Sequence, residues 1–133
     1  MARFVLDASA LVGFFRDEPM APRVRGFLES SARGEHELYL TVVNLGEVLY
    51  TLEMRQGEQV AEEARLLIDW SFVQIFDIDR PFALEAAKLK ATRRLGYADC
   101  FAAALAQRLG ATILTGDADF RRVEDLIAVE WLQ

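Results

Sequence analysis

The sequence predicts an α/β protein built on a central parallel sheet with helices on both faces. Three observations predict it. Short apolar runs of strand type alternate with helical patterns along the chain, the order expected of a parallel sheet. The first run is apolar up to a closing acid, the form of a strand buried on both faces. No repeat, low-complexity tract or Pro/Gly/Ser-rich linker interrupts the 133 residues, so they read as one domain, 1–133.

Arg3-Phe4-Val5-Leu6-Asp7 is that first strand, and a helix over 8–15 follows, with Leu11, Phe14 and Phe15 at i, i+3, i+4. Asp17-Glu18-Pro19 breaks it, and residues 21–32 repeat the helical pattern through Val24, Phe27 and Leu28. Leu38-Tyr39-Leu40 is a short strand. Residues 42–55 form a strong helix whose stripe is Leu45, Val48, Leu49 and Leu52. Gly57 separates it from a helix at 58–69. Phe72–Ile78 reads as a strand, and Pro81 opens a helix over 81–94 that Gly96 closes after Arg93-Arg94. The run 98–109 is almost wholly apolar, so this helix is buried on most sides. Ala111–Thr115 is a strand, Gly116-Asp117 a turn, 118–125 a short helix and Ile127–Trp131 the last strand. Ligands of such sheets bind at the carboxyl ends of the strands, which directs attention to Asp7 and Asp117.

Composition narrows the function. With 53% hydrophobic and 27% charged residues the chain is of ordinary globular type, and a chain of this size buries roughly two-thirds of its unfolded surface. No apolar run approaches the roughly 18 residues of a membrane span, and the N-terminus lacks a signal segment. The single cysteine, Cys100, excludes an internal disulfide framework and a multi-cysteine zinc site, so a reducing cytoplasm is the expected location. A net charge of −6 disfavours a simple basic nucleic-acid module. It leaves room for an enzyme whose acidic pocket is neutralised by metal, since two divalent cations would bring −6 to −2. There is no G-x-G-x-x-G, no phosphate-binding G-x-x-x-x-G-K-[ST] and no G-x-S-x-G, and the only lysines are Lys88 and Lys90. His36, in the polar stretch Gly34-Glu35-His36-Glu37, reads as a solvated loop residue. Cys100 reads as a small buried side chain, and Trp70 and Trp131 as core or interface anchors.

The carboxylates carry the remaining signal. Singly, each has an ordinary explanation: Asp7 or Ser9 as a helix N-cap, Asp99 as a cap of the 98–109 helix or a complement to its dipole, Asp117 as a turn residue, Glu47 as a solvated helix residue. Jointly they are harder to dismiss. Asp7 and Asp117 leave a parallel sheet at the same edge, and Asp99 heads an apolar helix with no Lys or Arg before Arg108 to pair with it. Burying an unpaired carboxylate there costs several kcal/mol. Asn44, Glu47 and Thr51 fall at i, i+3, i+7 on one polar helix face. Several oxygen-rich acids converging at a sheet edge suit a hard divalent cation, Mg²⁺ or Mn²⁺.

Four segments resemble a known family in order and spacing over essentially the whole chain. They are Val5-Leu6-Asp7-Ala8-Ser9-Ala10-Leu11, Asn44-Leu45-Gly46-Glu47-Val48, Tyr97-Ala98-Asp99-Cys100-Phe101-Ala102-Ala103-Ala104 and Leu114-Thr115-Gly116-Asp117-Ala118-Asp119-Phe120. Together they resemble the PIN-domain ribonucleases, and among them the VapC-type toxins of bacterial toxin–antitoxin pairs. The resemblance implies a three-layer PIN-like fold with a central parallel sheet flanked by helices. It also implies an acidic quartet of Asp7, Glu47, Asp99 and Asp117 serving as catalytic and metal-holding residues, with Glu47 acting directly or through water. Ser9, Asn44 and Thr115 match supporting positions, and Asp119 an occasional fifth acid. The implied chemistry is Mg²⁺-dependent hydrolysis of RNA phosphodiester bonds, Mn²⁺ substituting, that leaves a 5′-phosphate and a 3′-hydroxyl. Arg16, Arg93, Arg94, Arg121 and Arg122 are candidates for drawing in the RNA backbone. The implied partners are a cognate antitoxin, docking an amphipathic segment near the first two helices, and a second copy of the chain in a homodimer. Two other readings are a PIN-fold interaction protein without turnover and a receiver-like Mg²⁺-binding phospho-acceptor domain. The second needs a lysine at the end of a late strand, and none follows Lys90.

Overall fold

In a computed structural model covering residues 1–133, the chain runs β1 (Ala2–Leu6), α1 (Ala8–Phe15), α2 (Ala21–Ala32), β2 (His36–Thr41), α3 (Val42–Gln56) and α4 (Glu58–Trp70). It continues through β3 (Gln74–Phe76), α5 (Arg80–Arg93), α6 (Tyr97–Leu109), β4 (Thr112–Thr115), a 3₁₀ helix (Ala118–Val123) and β5 (Val129–Trp131). All strand pairs are parallel, in the order β3-β2-β1-β4-β5. The chain builds outward from β1 on one side, then crosses back to add β4 and β5 on the other. The order therefore reverses between β1 and β4, and the crevice beyond their carboxyl ends is where open α/β sheets bind ligands. β1 ends at Leu6 and β4 at Thr115, so Asp7 and Asp117 flank that point.

Strand alternation sorts the apolar side chains into two cores. Val5 and Ile113 point into one, beneath α5 and α6, while Leu6 and Leu114 point into the other with Leu38 and Leu40, beneath α1 to α4. In α3, Val48 and Leu52 are fully buried and Leu45 and Leu49 flank them. In α6 every residue from Cys100 to Ala106 is buried, and most are alanine, so this helix lies close against the sheet.

Three details depart from the sequence reading. His36 is not a solvated loop residue: β2 starts with it, pairing it to Ala2, two residues earlier than the Leu38–Leu40 run suggests. Its ring sits half-buried, 5.2 Å from Phe4 and 6.0 Å from Phe27, because positions 36, 38 and 40 share one face of the strand. β3 is confined to Gln74–Phe76, since an edge strand is defined only where β2 pairs with it. Trp70 ends α4 at 85% exposure and takes no part in the core, and Trp131 is half-buried with Arg121 above its ring. No helix is long and apolar enough to cross a membrane.

Candidate active site

The site begins with Asp7. It leaves β1 in extended conformation and caps α1, its Oδ1 accepting the Ala10 amide at 2.9 Å. Ser9 Oγ lies 2.8 Å from both carboxylate oxygens, and Thr115 Oγ1, at the end of β4, donates to Oδ2 at 2.5 Å. Thr115 Oγ1 in turn accepts the Asp117 amide at 2.9 Å, and Ser9 Oγ accepts the Gly116 amide at 3.3 Å. Two hydroxyls thus stitch the turn after β1 to the turn after β4. A Cβ at Gly116 would lie 2.5 Å from Met20 Cε, so the methionine end packs where a side chain would otherwise stand. Asp117 caps the 3₁₀ helix by accepting the Asp119 amide at 2.9 Å.

A second network carries Glu47. Thr41 caps α3, accepting the Asn44 amide at 3.0 Å and donating to Asn44 Oδ1 at 2.6 Å. The buried Asn44 then donates to the Ala98 carbonyl at 3.1 Å and to Glu47 Oε1 at 3.4 Å. One amide side chain therefore ties α3 to the start of α6, one residue before Asp99. Asp99 does not cap α6: Gly96 holds the N-cap position without a side-chain cap, and the Asp99 carboxylate, in the first turn where it complements the helix dipole, accepts no hydrogen bond from the protein.

Asp7, Glu47, Asp99 and Asp117 line one cleft of about 420 Å³, with Ser9, Thr51 and Arg55 also in its wall. Electrostatics in it are unfavourable to negative charge. Burial pushes the Asp7 carboxyl up to about 6 against the opposing effect of its hydrogen bonds, and Asp117 adds to the rise. Burial also raises Asp99 to about 7, followed by repulsion from Asp7, Glu47, Asp117 and Asp119. Glu47 is raised by burial and by Asp117, against its bond from Asn44. These four acids share a space, and none of them is ion-paired to a basic side chain. Their donor atoms are all hard oxygens. They do not close round one point as a set of three ligands, but Mg²⁺ keeps several waters and is commonly held by one or two carboxylates with phosphate oxygens. The residues fit such an ion.

The PIN domain family model matches residues 4–126. The chain belongs to the PIN-domain family. A ribonuclease VapC of Mycolicibacterium smegmatis is 32% identical over 134 residues, covering 94% of this chain and 98% of that one. Kinship at that level puts the chain among the VapC ribonucleases. Among solved structures, VapBC2 from Rickettsia felis bound to a fragment of its promoter DNA superposes with a TM-score of 0.75 at 20% identity, covering 96% of this chain and 97% of that one. The Mycobacterium tuberculosis toxin VapC20, described as cleaving the sarcin–ricin loop, does so with a TM-score of 0.70 at 15% identity, over 86% of this chain and 91% of its own.

Within this PIN domain the other candidate residues divide. Thr115 and Asn44 are buried and Ser9 nearly so, each bonded to an acid of the quartet. Asp119 is exposed and lies 3.5 Å from Arg122, outside the cleft wall. Of the five arginines, Arg16 pairs with Glu18 at 3.1 Å and Arg93 with Asp125 at 2.6 Å, and Arg121 sits over Trp131. Arg122 also donates to the carbonyl of Arg94, which turns left-handed to end α5. None of the five lines the acidic cleft. The one cation that does, Arg55, was open to the same spacing argument: it continues the face of Asn44, Glu47 and Thr51 by one turn. Cys100 is buried beside Asp99, which together push its thiol up to about 11 and make it inert. A separate apolar cavity of about 170 Å³ lies between α1, α2 and α4, lined by Leu11, Phe14, Phe15, Leu28, Leu67 and Val73. Val24 is instead fully buried, and Phe27 packs on Phe4.

Proposed function

We propose that this PIN domain is a toxin ribonuclease that hydrolyses RNA phosphodiester bonds with Mg²⁺, Mn²⁺ substituting, and is silenced by a cognate antitoxin. One observation carries the reading: Asp99 is held in the cleft beside Asp7, Glu47 and Asp117, with Glu18 at its edge, without a single hydrogen bond to compensate it. Such a carboxylate is costly to the fold unless a cation meets it. Asp7, Asp99 and Asp117 would hold the ion, with Glu47 binding directly or through water. Bound there, Mg²⁺ would stabilise charge on the phosphate and acidify an attacking water. Thr115 and Ser9 fix the Asp7 carboxylate in one orientation, and Asn44 does the same for Glu47. Glu47, its proton affinity raised by burial, would be the group to accept a proton in the cleft where it does not itself bind the ion. Attack by water needs no 2′-hydroxyl and forms no cyclic phosphate, and expulsion of the 3′-oxygen would leave a 5′-phosphate and a 3′-hydroxyl.

The antitoxin has a natural seat. Structural relatives are toxin–antitoxin complexes, and the apolar cavity between α1, α2 and α4 suits the apolar face of an amphipathic segment. A basic residue at that partner's C-terminus would reach the acids. A second copy of the chain completes the assembly as a homodimer, which light scattering across the micromolar range checks. The central test is cleavage of end-labelled RNA by purified protein with Mg²⁺ and with chelator, alongside Asp99→Asn. Metal-dependent cleavage that leaves 5′-phosphates and is lost in the variant supports the reading. Cleavage undiminished by chelator, or by Asp99→Asn, overturns it.

A further inference from the structure

The cleft is lined by five acids, of which only Glu18 has a basic partner, Arg16, yet its substrate is a polyanion, so the protein needs a cation placed to meet RNA there. Most of its arginines are already engaged. Arg3, Arg16, Arg23, Arg33, Arg65, Arg93, Arg108 and Arg122 are in ion pairs, and Arg25 and Arg121 lie over the rings of Phe14 and Trp131. Arg55, Arg80 and Arg94 have neither kind of partner. Of these three only Arg55 lines the acidic cleft. It is exposed, makes no hydrogen bond from its side chain, and sits in the last turn of α3.

We infer that Arg55 is a substrate-binding residue that holds a backbone phosphate of the RNA next to the one being cleaved. The inference rests on the ribonuclease reading of the same cleft. Glu47 and Arg55 share a helix face eight residues apart, about 12 Å along the axis at ~1.5 Å per residue. That separation is too long for both to act on one phosphate and suits a neighbouring one. The obvious alternative is that Arg55 merely balances the acids. No ion pair or hydrogen bond, however, joins the Arg55 side chain to any of these acids. A planar guanidinium with five donors is also the side chain best matched to phosphate oxygens.

The test measures binding of a fluorescent single-stranded RNA 20-mer of mixed sequence to Asp99→Asn protein with Mg²⁺, over a range of salt. Adding Arg55→Gln should weaken binding about tenfold at low salt and flatten the slope of log K against log salt by about 0.7, one phosphate contact on a single strand. Arg55→Lys should restore most of the slope but less of the affinity, since it keeps the charge and loses the fork. Melting temperatures should match throughout, because Arg55 holds nothing in the fold. An unchanged slope and affinity in Arg55→Gln overturns the assignment of Arg55 and leaves the ribonuclease reading standing. Absence of RNA binding at any salt both by Asp99→Asn protein and by wild type with Ca²⁺ in place of Mg²⁺ overturns both together.

Discussion

Asp7 and Asp99 face the same cleft and are both pushed toward neutral pH, but the protein holds them in opposite ways. Asp7 is 1% exposed and accepts bonds from an amide and two hydroxyls, so its place is part of the local backbone design. Asp99 is carried by a helix packed on the sheet, and nothing bonds its carboxylate. The first acid earns stability from its contacts. The second is tolerated for what it can bind. A site can therefore be assembled from one residue the fold uses and another that the fold only positions.

The largest expected effect makes the two alike: Asp7→Asn and Asp99→Asn should each lower RNA cleavage by orders of magnitude in a gel assay, because on the proposed mechanism each would remove a charged oxygen that holds the metal. Metal binding separates the wild type from Asp99→Asn. A hundredfold excess of Mg²⁺ over its dissociation constant should stabilise wild type by about 2.7 kcal/mol, and the variant much less, in thermal melts. Alanine then breaks the likeness. In chelator, Asp7→Ala should lose ~2 kcal/mol, since it removes the α1 cap and orphans the Ala10 amide. Asp99→Ala should melt as high as wild type or higher, because it relieves repulsion. If both melt lower by the same amount, the distinction drawn here is wrong.

The pH dependence follows from the sign of the shifts. The Asp99 carboxyl rises from 3.8 in the unfolded chain to about 7 in the fold, so the folded form keeps its proton over that window while the unfolded form releases it. Stability is greatest below the unfolded value and is lost as pH climbs through the folded one. Metal-free protein should accordingly melt higher at pH 5 than at pH 7.5. Discounting for partial exposure, Asp99 contributes about 2 kcal/mol to that difference, and Asp99→Asn should flatten it. The smallest effect is Thr115→Val, which removes the hydroxyl joining Asp7 to the Asp117 amide. It should cost ~1 kcal/mol in chemical denaturation and reduce activity far less than losing either acid.

Much of this was legible in the sequence because strand, acid and helix follow one another directly. Leu6-Asp7 and Thr115-Gly116-Asp117 state where two strands end, and a parallel sheet brings both ends to one edge. The apolar run after Asp99 foretells burial on every side. What the sequence could not state is partnership across distance: that Asn44 reaches the Ala98 carbonyl, or that Arg93 is taken by Asp125, depends on packing between remote elements. His36 was hidden differently. Polar neighbours at 34, 35 and 37 mask its place in the 36, 38, 40 alternation. Arg55 lay in plain view at the end of a polar face whose first three members had already been read.

The run of small residues along α6 bears on motion. Alanine surrenders no rotamer freedom on burial, so a helix buried from Cys100 to Ala106 becomes ordered at little entropic loss and has few side chains able to shift. Segments that carry function usually belong to the parts of a protein that open most readily. Here the acid with the least compensation stands on the first turn of the helix least free to open. Amide hydrogens of α6 should be among the slowest in the molecule to exchange with deuterated water, so the backbone that carries Asp99 stays in place beside the other acids.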